Sequence, residues 1–133
     1  MISDFEGLLK AARSQPTAQR LLLVFANAEL PDDASEEQRQ HFAAGQGGAL
    51  VPTVCVDKAP SEVTTFQALV EESSQTGAPW VMVFVAALSG DGGTAPSSDD
   101  ARAPLQRMEE NIRRGDIGTY IPFDREGQAV QLG

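Results

Sequence analysis

Two apolar runs without proline constrain the fold of this chain more than any other feature. The first run, RLLLVFA, covers residues 20–26, and the second, WVMVFVAAL, covers residues 80–88. Runs of this length are too short to cross a bilayer and are typical of strands that are buried on both faces of a sheet. The two runs therefore predict neighbouring central strands in a sheet that is covered by helices.

Two helices are indicated in the first third of the chain. Residues 2–14 carry apolar side chains at helical spacing, and Ser3 and Glu6 match a capping box at the start of this segment. Ser35 and Gln38 match a second capping box, which opens a short polar helix.

Prolines mark the boundaries of the next elements. The segment LVPTVCVDK is typical of a strand, and Pro52 places that strand at an edge because proline cannot donate to a ladder. Pro60 opens a third helix, which ends at Gly77. The fourth helix begins either near Pro104 or at Ser98 with a kink at the proline.

The C-terminal segment GTYIPFDREGQAVQL predicts a β-hairpin with a turn at residues 124–127 and another edge at Pro122. The elements then follow the order α-β-α-β-α-β-α-β-β, and such alternation is typical of parallel pairing with right-handed crossovers. We therefore predict a single α/β domain over residues 1–133. Its sheet is expected to be mostly parallel but mixed, with four or five strands in the lateral order 2-1-3-4, flanked by helices and closed by the hairpin.

The net charge restricts the partners of the chain. Nineteen acidic residues stand against ten basic ones, which gives a formal charge of −9. Nucleic acids and anionic membranes both attract basic surfaces, so we expect no nucleic acid and no membrane as partner. A basic protein partner fits this charge.

The content of cysteine and histidine argues against a catalytic site. Cys55 is the only cysteine, so the chain forms no internal disulfide and suits the reducing cytoplasm. A catalytic thiol needs a lowered pKa and a nearby base, and no spacing pairs Cys55 with His41, the only histidine. No GxSxG motif is present. We therefore predict no catalytic residue and no cofactor.

If the chain binds a small molecule, a parallel sheet would place it beyond the carboxyl ends of the strands, where the strand order reverses. Residues 27–29 and the loop after the second apolar run reach that edge. The candidate ligand-binding residues are Asp57, Lys58, Ser89, Gly90, Asp91, Gly92 and Gly93. The loop lacks the Walker and GxGxxG patterns, so an ordinary connection to a helix capped at Ser97 or Ser98 is the alternative.

A group of carboxylates near the same edge raises the question of a magnesium site, since Mg²⁺ binds a few carboxylates and waters. The residues concerned are Glu29, Asp32, Asp33, Asp57 and Asp91. Asp32 and Asp33 follow Pro31 in a segment typical of a turn, where aspartate makes local hydrogen bonds. We therefore predict no metal site.

The strings LLLVFANAELP, GQGGALVPTVCVDKAP, VFVAALSG, APSS and FDREG resemble a family of small bacterial proteins, some of which are labelled ribonucleotide reductase subunit alpha. The resemblance covers nearly the whole chain and assigns no catalytic or binding residues. The label implies radical chemistry that uses a pair of cysteines and a further cysteine as radical carrier. Because this chain has one cysteine, we expect no reductase activity from it alone.

These observations predict a small acidic cytoplasmic protein that is a non-enzymatic binding or accessory module. It is expected to act through contacts with a protein partner or with further copies of itself. The alternative is a small-molecule or nucleotide-binding α/β domain that uses the glycine-rich residues 89–93. A third hypothesis is a thioredoxin-like fold, since LLLVFANAEL resembles the strand before a redox site, although no CxxC motif follows.

Overall fold

The computed structural model describes residues 2–15, 17–30, 33–43, 49–90 and 94–130. Helices and strands follow one another along the chain as α1 (Phe5–Arg13), β1 (Gln19–Glu29), α2 (Glu36–Ala43), β2 (Ala49–Lys58), a 3-10 turn (Pro60–Glu62), α3 (Phe66–Ser74), β3 (Met82–Ser89), α4 (Ser98–Arg113) and β4 (Ile121–Phe123). None of the helices within the described ranges has the length and apolar character needed to span a membrane.

The strands form one four-stranded sheet in the order β2-β1-β3-β4. The two apolar runs lie side by side at its centre as β1 and β3. Every neighbouring pair in the sheet runs antiparallel, so the predicted mostly parallel sheet is wrong. The lateral order equals the predicted one, but the strand directions differ.

Helix α2 does not form a parallel crossover between β1 and β2. A parallel crossover needs a helix that packs an apolar face on the sheet. No residue of α2 is buried, so this helix covers no face and the chain returns beside β1 in the opposite direction. Strands β2 and β3 then flank β1 and run parallel to each other, with α3 in the connection between them.

Strand β1 carries both hydrophobic clusters of the protein. Leu21, Leu23 and Phe25 pack on the face that α1 and α3 cover, and Leu22 and Val24 pack on the face that α4 covers. All of these side chains are buried. Because full burial of one such side chain stabilises the fold by about 1.5–3 kcal/mol, β1 is the main hydrophobic element.

Helix α1 begins at a different cap from the predicted one. Asp4 Oδ1 accepts a hydrogen bond from the Gly7 amide at 2.8 Å, so the predicted capping box of Ser3 and Glu6 is wrong. The Glu6 carboxylate instead accepts from the Phe66 amide at 3.1 Å. Glu6 therefore joins the beginning of α3 to α1.

Two other helix starts agree with the sequence. Ser35 and Gln38 make both reciprocal bonds of the predicted capping box, at 2.8 and 3.2 Å. Helix α4 begins at Ser98, with Ser97 as its N-cap and Pro104 inside the helix. The third helix differs, because the predicted start at Pro60 forms only the short 3-10 turn before α3 begins.

The predicted C-terminal hairpin is reduced to a turn and isolated bridges. Strand β4 pairs with β3, and the chain then turns at residues 124–127 and returns with a single bridge between Phe123 and Ala129. Within the described ranges no fifth strand forms. Gln128 bridges to Asp4, and the Ala129 amide donates to the Ser3 carbonyl at 2.9 Å, so this return also binds the segment before α1.

The turn after β4 allows a test of the packing between these segments. Gly127 has φ +81, and a Cβ there would lie 3.0 Å from ring carbons of Phe66, whereas Gly115 has φ +80 and open space around it. We expect Gly127→Ala to lower the free energy of unfolding by about 1–3 kcal/mol more than Gly115→Ala, because only Gly127→Ala adds overpacking to the backbone strain. Urea unfolding measures the difference, and equal losses in the two variants would contradict this account.

Candidate functional site

Among the described residues of the predicted ligand-binding set, Asp57, Lys58 and Ser89 lie apart from one another. Strands β2 and β3 end at the same end of the sheet, but β1 separates them by about 10 Å in total. Asp57 faces α4, whereas Lys58 faces α3, where its Nζ lies 2.6 Å from Glu72 Oε1. Ser89 lies on the α1 side of the sheet, where its Oγ accepts from the Gln19 side-chain amide at 3.0 Å.

The described part of the glycine-rich loop is closed by the protein's own backbone. The Gly90 amide donates to the Ala18 carbonyl at 2.8 Å, and a Cβ on Gly90 would lie 2.0 Å from the Thr94 carbonyl oxygen. This amide is therefore already bonded and does not face a ligand. A cavity of about 420 Å³ opens beside Ser89 and Gly90. Asp91, Gly92 and Gly93 lie outside the described residues, so ligand binding by this loop stays a prediction.

Of the carboxylates that were considered for magnesium, Glu29 and Asp57 lie at opposite ends of β2. Glu29 pairs with Ala49 at one end of β2, while Asp57 lies next to Lys58 at the other end. Asp32 and Asp91 fall outside the described residues. In the part of the chain that the structure describes, no group of three or more His, Cys, Asp or Glu side chains is arranged to hold a metal ion.

A cleft of about 580 Å³ lies between β2 and α4. The residues that give it its chemistry are Cys55, Asp57, Ser98, Asp99, Arg102 and Glu109. Of these, sequence reasoning proposed only Asp57 as a ligand-binding residue, because the cleft depends on how α4 lies over the sheet. The one sequence signal is the alternation along β2, which places Cys55 and Asp57 on the same face.

Asp57 connects three elements at one end of this cleft. Its Oδ2 accepts from Arg20 Nε at 2.6 Å and from Ser98 Oγ at 2.7 Å, which joins β2 to β1 and to the first turn of α4. The side chains of Arg20 and Asp57 are only 16% and 17% exposed. Burial raises the pKa of Asp57, but the bonds from Ser98 and Arg20 outweigh burial and hold this pKa below its ordinary value.

Cys55 lies farther along the cleft and is only half-buried, with its Sγ 3.7 Å from Glu109 Oε2. Burial of the thiol, followed by the charge of the Glu109 carboxylate, raises the pKa of Cys55 to about 11, although Arg113 opposes this shift. Since the thiolate is the reactive form of cysteine, the Cys55 thiol is a poor nucleophile at neutral pH.

The hydrogen bonds of the β1 backbone show which backbone N–H and C=O groups of β2 point towards the sheet and which point away from it. In an antiparallel sheet the residues of a central strand bond alternately to the two neighbouring strands. The carbonyls of Ala18 and Ala26 accept from Gly90 and Val81, which lie on the β3 side. The Phe25 carbonyl accepts from a β2 side chain. Even-numbered residues of β1 therefore bond towards β3, and odd-numbered residues bond towards β2.

The same alternation assigns the outer edge of β2. The partners of the odd-numbered β1 residues are Val54, Val56 and Lys58, so their backbone groups face β1. Cys55 and Asp57 pair with even-numbered residues, so their N–H and C=O groups point away from the sheet. Strand β2 is at the edge of the sheet, and no strand in the described part of the chain covers this outer side.

The predicted edge position of the strand that contains Pro52 is confirmed. Phe25 pairs with Val54 and Ala26 pairs with Pro52, so Thr53 is an extra residue in a β-bulge. Bulges and prolines interrupt regular pairing at sheet edges. The regular part of the outer edge is therefore limited to residues 54–58.

Comparison of the chain with models of protein families, with curated proteins and with solved structures gave no match. The resemblance to the family of small bacterial proteins stays a prediction.

The ion pair of Asp57 generates a pH-dependent prediction. Asp57→Asn leaves the Arg20 guanidinium with only the more distant Glu62 carboxylate at 4.0 Å, so we expect the free energy of unfolding at pH 7 to fall by about 1–3 kcal/mol. Because folding lowers the pKa of Asp57, its ionised form stabilises the fold above the unfolded-state pKa, and this contribution is lost as pH falls through the folded-state pKa.

Urea unfolding of wild type and Asp57→Asn at stepped pH tests this account. The difference between the two proteins in free energy of unfolding should become smaller as the pH falls. Asp99→Asn, at an exposed position of the same cleft, is the control and should cost at most about 1 kcal/mol. If the difference in free energy of unfolding between wild type and Asp57→Asn does not change with pH, the ionised carboxylate of Asp57 does not stabilise the fold.

The thiol of Cys55 gives a second test. Because it is the only cysteine, the rate of iodoacetamide alkylation reports its thiolate fraction. We expect this rate to rise with pH towards a midpoint of about 11. Glu109→Gln should lower the midpoint and speed alkylation at pH 8, while Glu110→Gln at an exposed position should change neither. A wild-type midpoint at the ordinary value of 9.0 would show that Glu109 and burial do not act on the thiol.

Proposed function

We propose that the chain is a non-enzymatic binding module that acts through protein–protein contacts at the outer edge of β2. The observation that carries this proposal is the outward direction of the backbone groups of Cys55 and Asp57, for which the described residues supply no pairing strand. An unpaired row of N–H and C=O groups is a template for a segment of another chain.

The chemistry of the surrounding side chains supports binding rather than catalysis. Catalysis by a side chain needs a polar group that is free to react and has a suitable pKa. The pKa of the Cys55 thiol is raised to about 11. The Asp57 carboxylate is held by Arg20 and Ser98, and Lys58 is in an ion pair with Glu72.

The charge of the chain supports a basic partner. The net charge of the chain is −9. In the cleft beside the edge the carboxylates of Asp57, Asp99 and Glu109 are each paired with one arginine, so the attraction for a basic partner comes from the whole chain. Such a charge attracts a basic protein and repels a second copy of the chain. The single cysteine fits the reducing cytoplasm, where we expect this partner to be present.

The proposal is tested with three forms of the protein as bait in a native lysate: wild type, Cys55→Ser and Cys55→Pro. Proline removes the outward N–H at position 55, while Val54 and Val56 keep their bonds to β1. We expect wild type and Cys55→Ser to retain the same basic protein in stoichiometric amount. Capture by Cys55→Pro should fall about tenfold or more, as the loss of a main-chain hydrogen bond at a buried interface implies.

Cys55→Ser is the matched control, since it removes the thiol and keeps the backbone amide. Thermal unfolding of all three forms establishes that Cys55→Pro is folded at the temperature of the assay. Capture that persists with folded Cys55→Pro would show that the edge is not the binding surface. The absence of any stoichiometric protein on the wild type would likewise overturn the proposal.

A further inference from the structure

We infer that the partner binds β2 as an added strand, and that this strand alternates basic side chains with β-branched apolar ones. The inference rests on the proposed function and names the class of ligand, which is an extended segment of a basic protein. It follows from three surfaces that meet at residues 54–58: the backbone of the edge, the cleft on the α4 side and the apolar patch on the α3 side.

The backbone of the edge fits an extended guest segment. Cys55 and Asp57 are two residues apart, which is the spacing at which a strand presents its N–H and C=O groups to one side. A guest strand can therefore bond to both residues, as in other complexes formed by strand addition. The bulge at Thr53 and Pro52 ends the regular edge on one side, and Pro60 follows β2 on the other, so the guest segment is short.

The guest side chains on the α4 side enter the cleft between β2 and α4. Two carboxylates there are paired with arginines of the same helix: Asp99 with Arg102 at 2.8 Å, and Glu109 with Arg113 at 3.2 Å. Both side chains of the first pair are about 80% exposed. Exposed ion pairs of this kind contribute little, so a guest arginine can take the place of Arg102 or Arg113 beside the carboxylate at a small cost. This side of the guest strand is therefore basic.

The guest side chains on the α3 side meet an apolar surface beside Val54 and Val56, and the ion pair of Lys58 with Glu72 beside Lys58. Val54 and Val56 are only partly buried there and pack against the cluster that includes Phe25 and Leu69. A small cavity of about 50 Å³ opens among these side chains. Valine or isoleucine in a neighbouring strand extends such a surface, since cross-strand apolar pairs are the stabilising unit of a sheet. This side of the guest strand is therefore β-branched and apolar.

A second copy of the chain fits these surfaces less well. Pairing of two β2 strands would place Cys55 and Asp57 of each copy on one face and would bring together two chains that each carry a net charge of −9. Chains of like charge repel each other. The alternating basic segment must therefore come from a different protein.

The test uses a capped synthetic peptide in which arginine and valine alternate, added to the isotope-labelled full chain at low salt. Amide hydrogen exchange is followed residue by residue by NMR. We expect saturating peptide to slow exchange of the Cys55 and Asp57 amides by about tenfold or more, as a new backbone hydrogen bond does. The amides of Val54 and Val56 already bond to β1, so their exchange should change much less.

Two control peptides distinguish the effect of charge on binding from the effect of strand pairing. Replacing arginine by glutamate keeps the strand propensity and reverses the charge, whereas a central proline keeps the charge and interrupts the strand. Both should bind at least about tenfold more weakly than the arginine–valine peptide. Glu109→Lys should weaken binding of that peptide, and this effect should diminish at high salt. Glu110→Lys carries the same change in charge at an exposed position outside the cleft and should weaken binding less.

Each outcome decides between the inference and its alternatives. Protection of Cys55 and Asp57 by the arginine–valine peptide, and by neither control, supports the inference. No binding, equal binding of the three peptides, or binding that leaves these two amides unprotected overturns it. If the peptide fails while partner capture still depends on residue 55, the edge contact stands and only the ligand class is wrong. If capture survives Cys55→Pro, the proposed function itself is wrong.

Discussion

The burial of β1 on both faces is the constraint on which the rest of the structure depends. Residues 21–26 are all buried, and they alternate between the cluster beneath α1 and α3 and the cluster beneath α4. A strand in this position needs a paired neighbour on each side, and β2 and β3 take those places. Strand β2 has no further neighbour, so its outer backbone groups and the cleft beside them follow from the way that the centre of the sheet is filled.

The position of the strands was predictable from the sequence, but their direction was not. Apolar runs and Pro52 report burial and edge position because these depend on local composition. Direction depends on the path of each connection: α2 does not pack on the sheet and α4 does, yet β2 and β4 both run antiparallel to the strand before them. The sequence of α2, EEQRQHFA, offers no apolar face, and the structure buries none of it. The lack of an apolar face on α2 is the sequence feature that indicates an antiparallel return at β2, and the alternation of helices and strands does not indicate it.

The candidate site was predictable only in part. Asp57 was recognised as a polar residue at a strand end, but its partners Arg20 and Ser98 are 37 and 41 residues away in the sequence. The contact with Arg20 depends on how β1 pairs with β2, and the contact with Ser98 depends on how α4 packs on the sheet; local patterns report neither. Asp57 and Lys58 are adjacent in the sequence but lie on opposite faces of the sheet, because adjacent residues of a strand point to opposite faces.

The bulge in β2 has a consequence for the behaviour of the protein at high concentration. If all ten residues of this edge strand were straight and apolar, identical chains could pair with it one after another, as they do in amyloid fibrils. Thr53 bends this strand, and Pro52 withholds a donor, so only a short stretch stays available. Such a stretch can pair with one short segment but is too short to support the repeated stacking of identical chains into a fibril. The bulge and the proline therefore limit the part of the unpaired edge at which copies of the chain could aggregate.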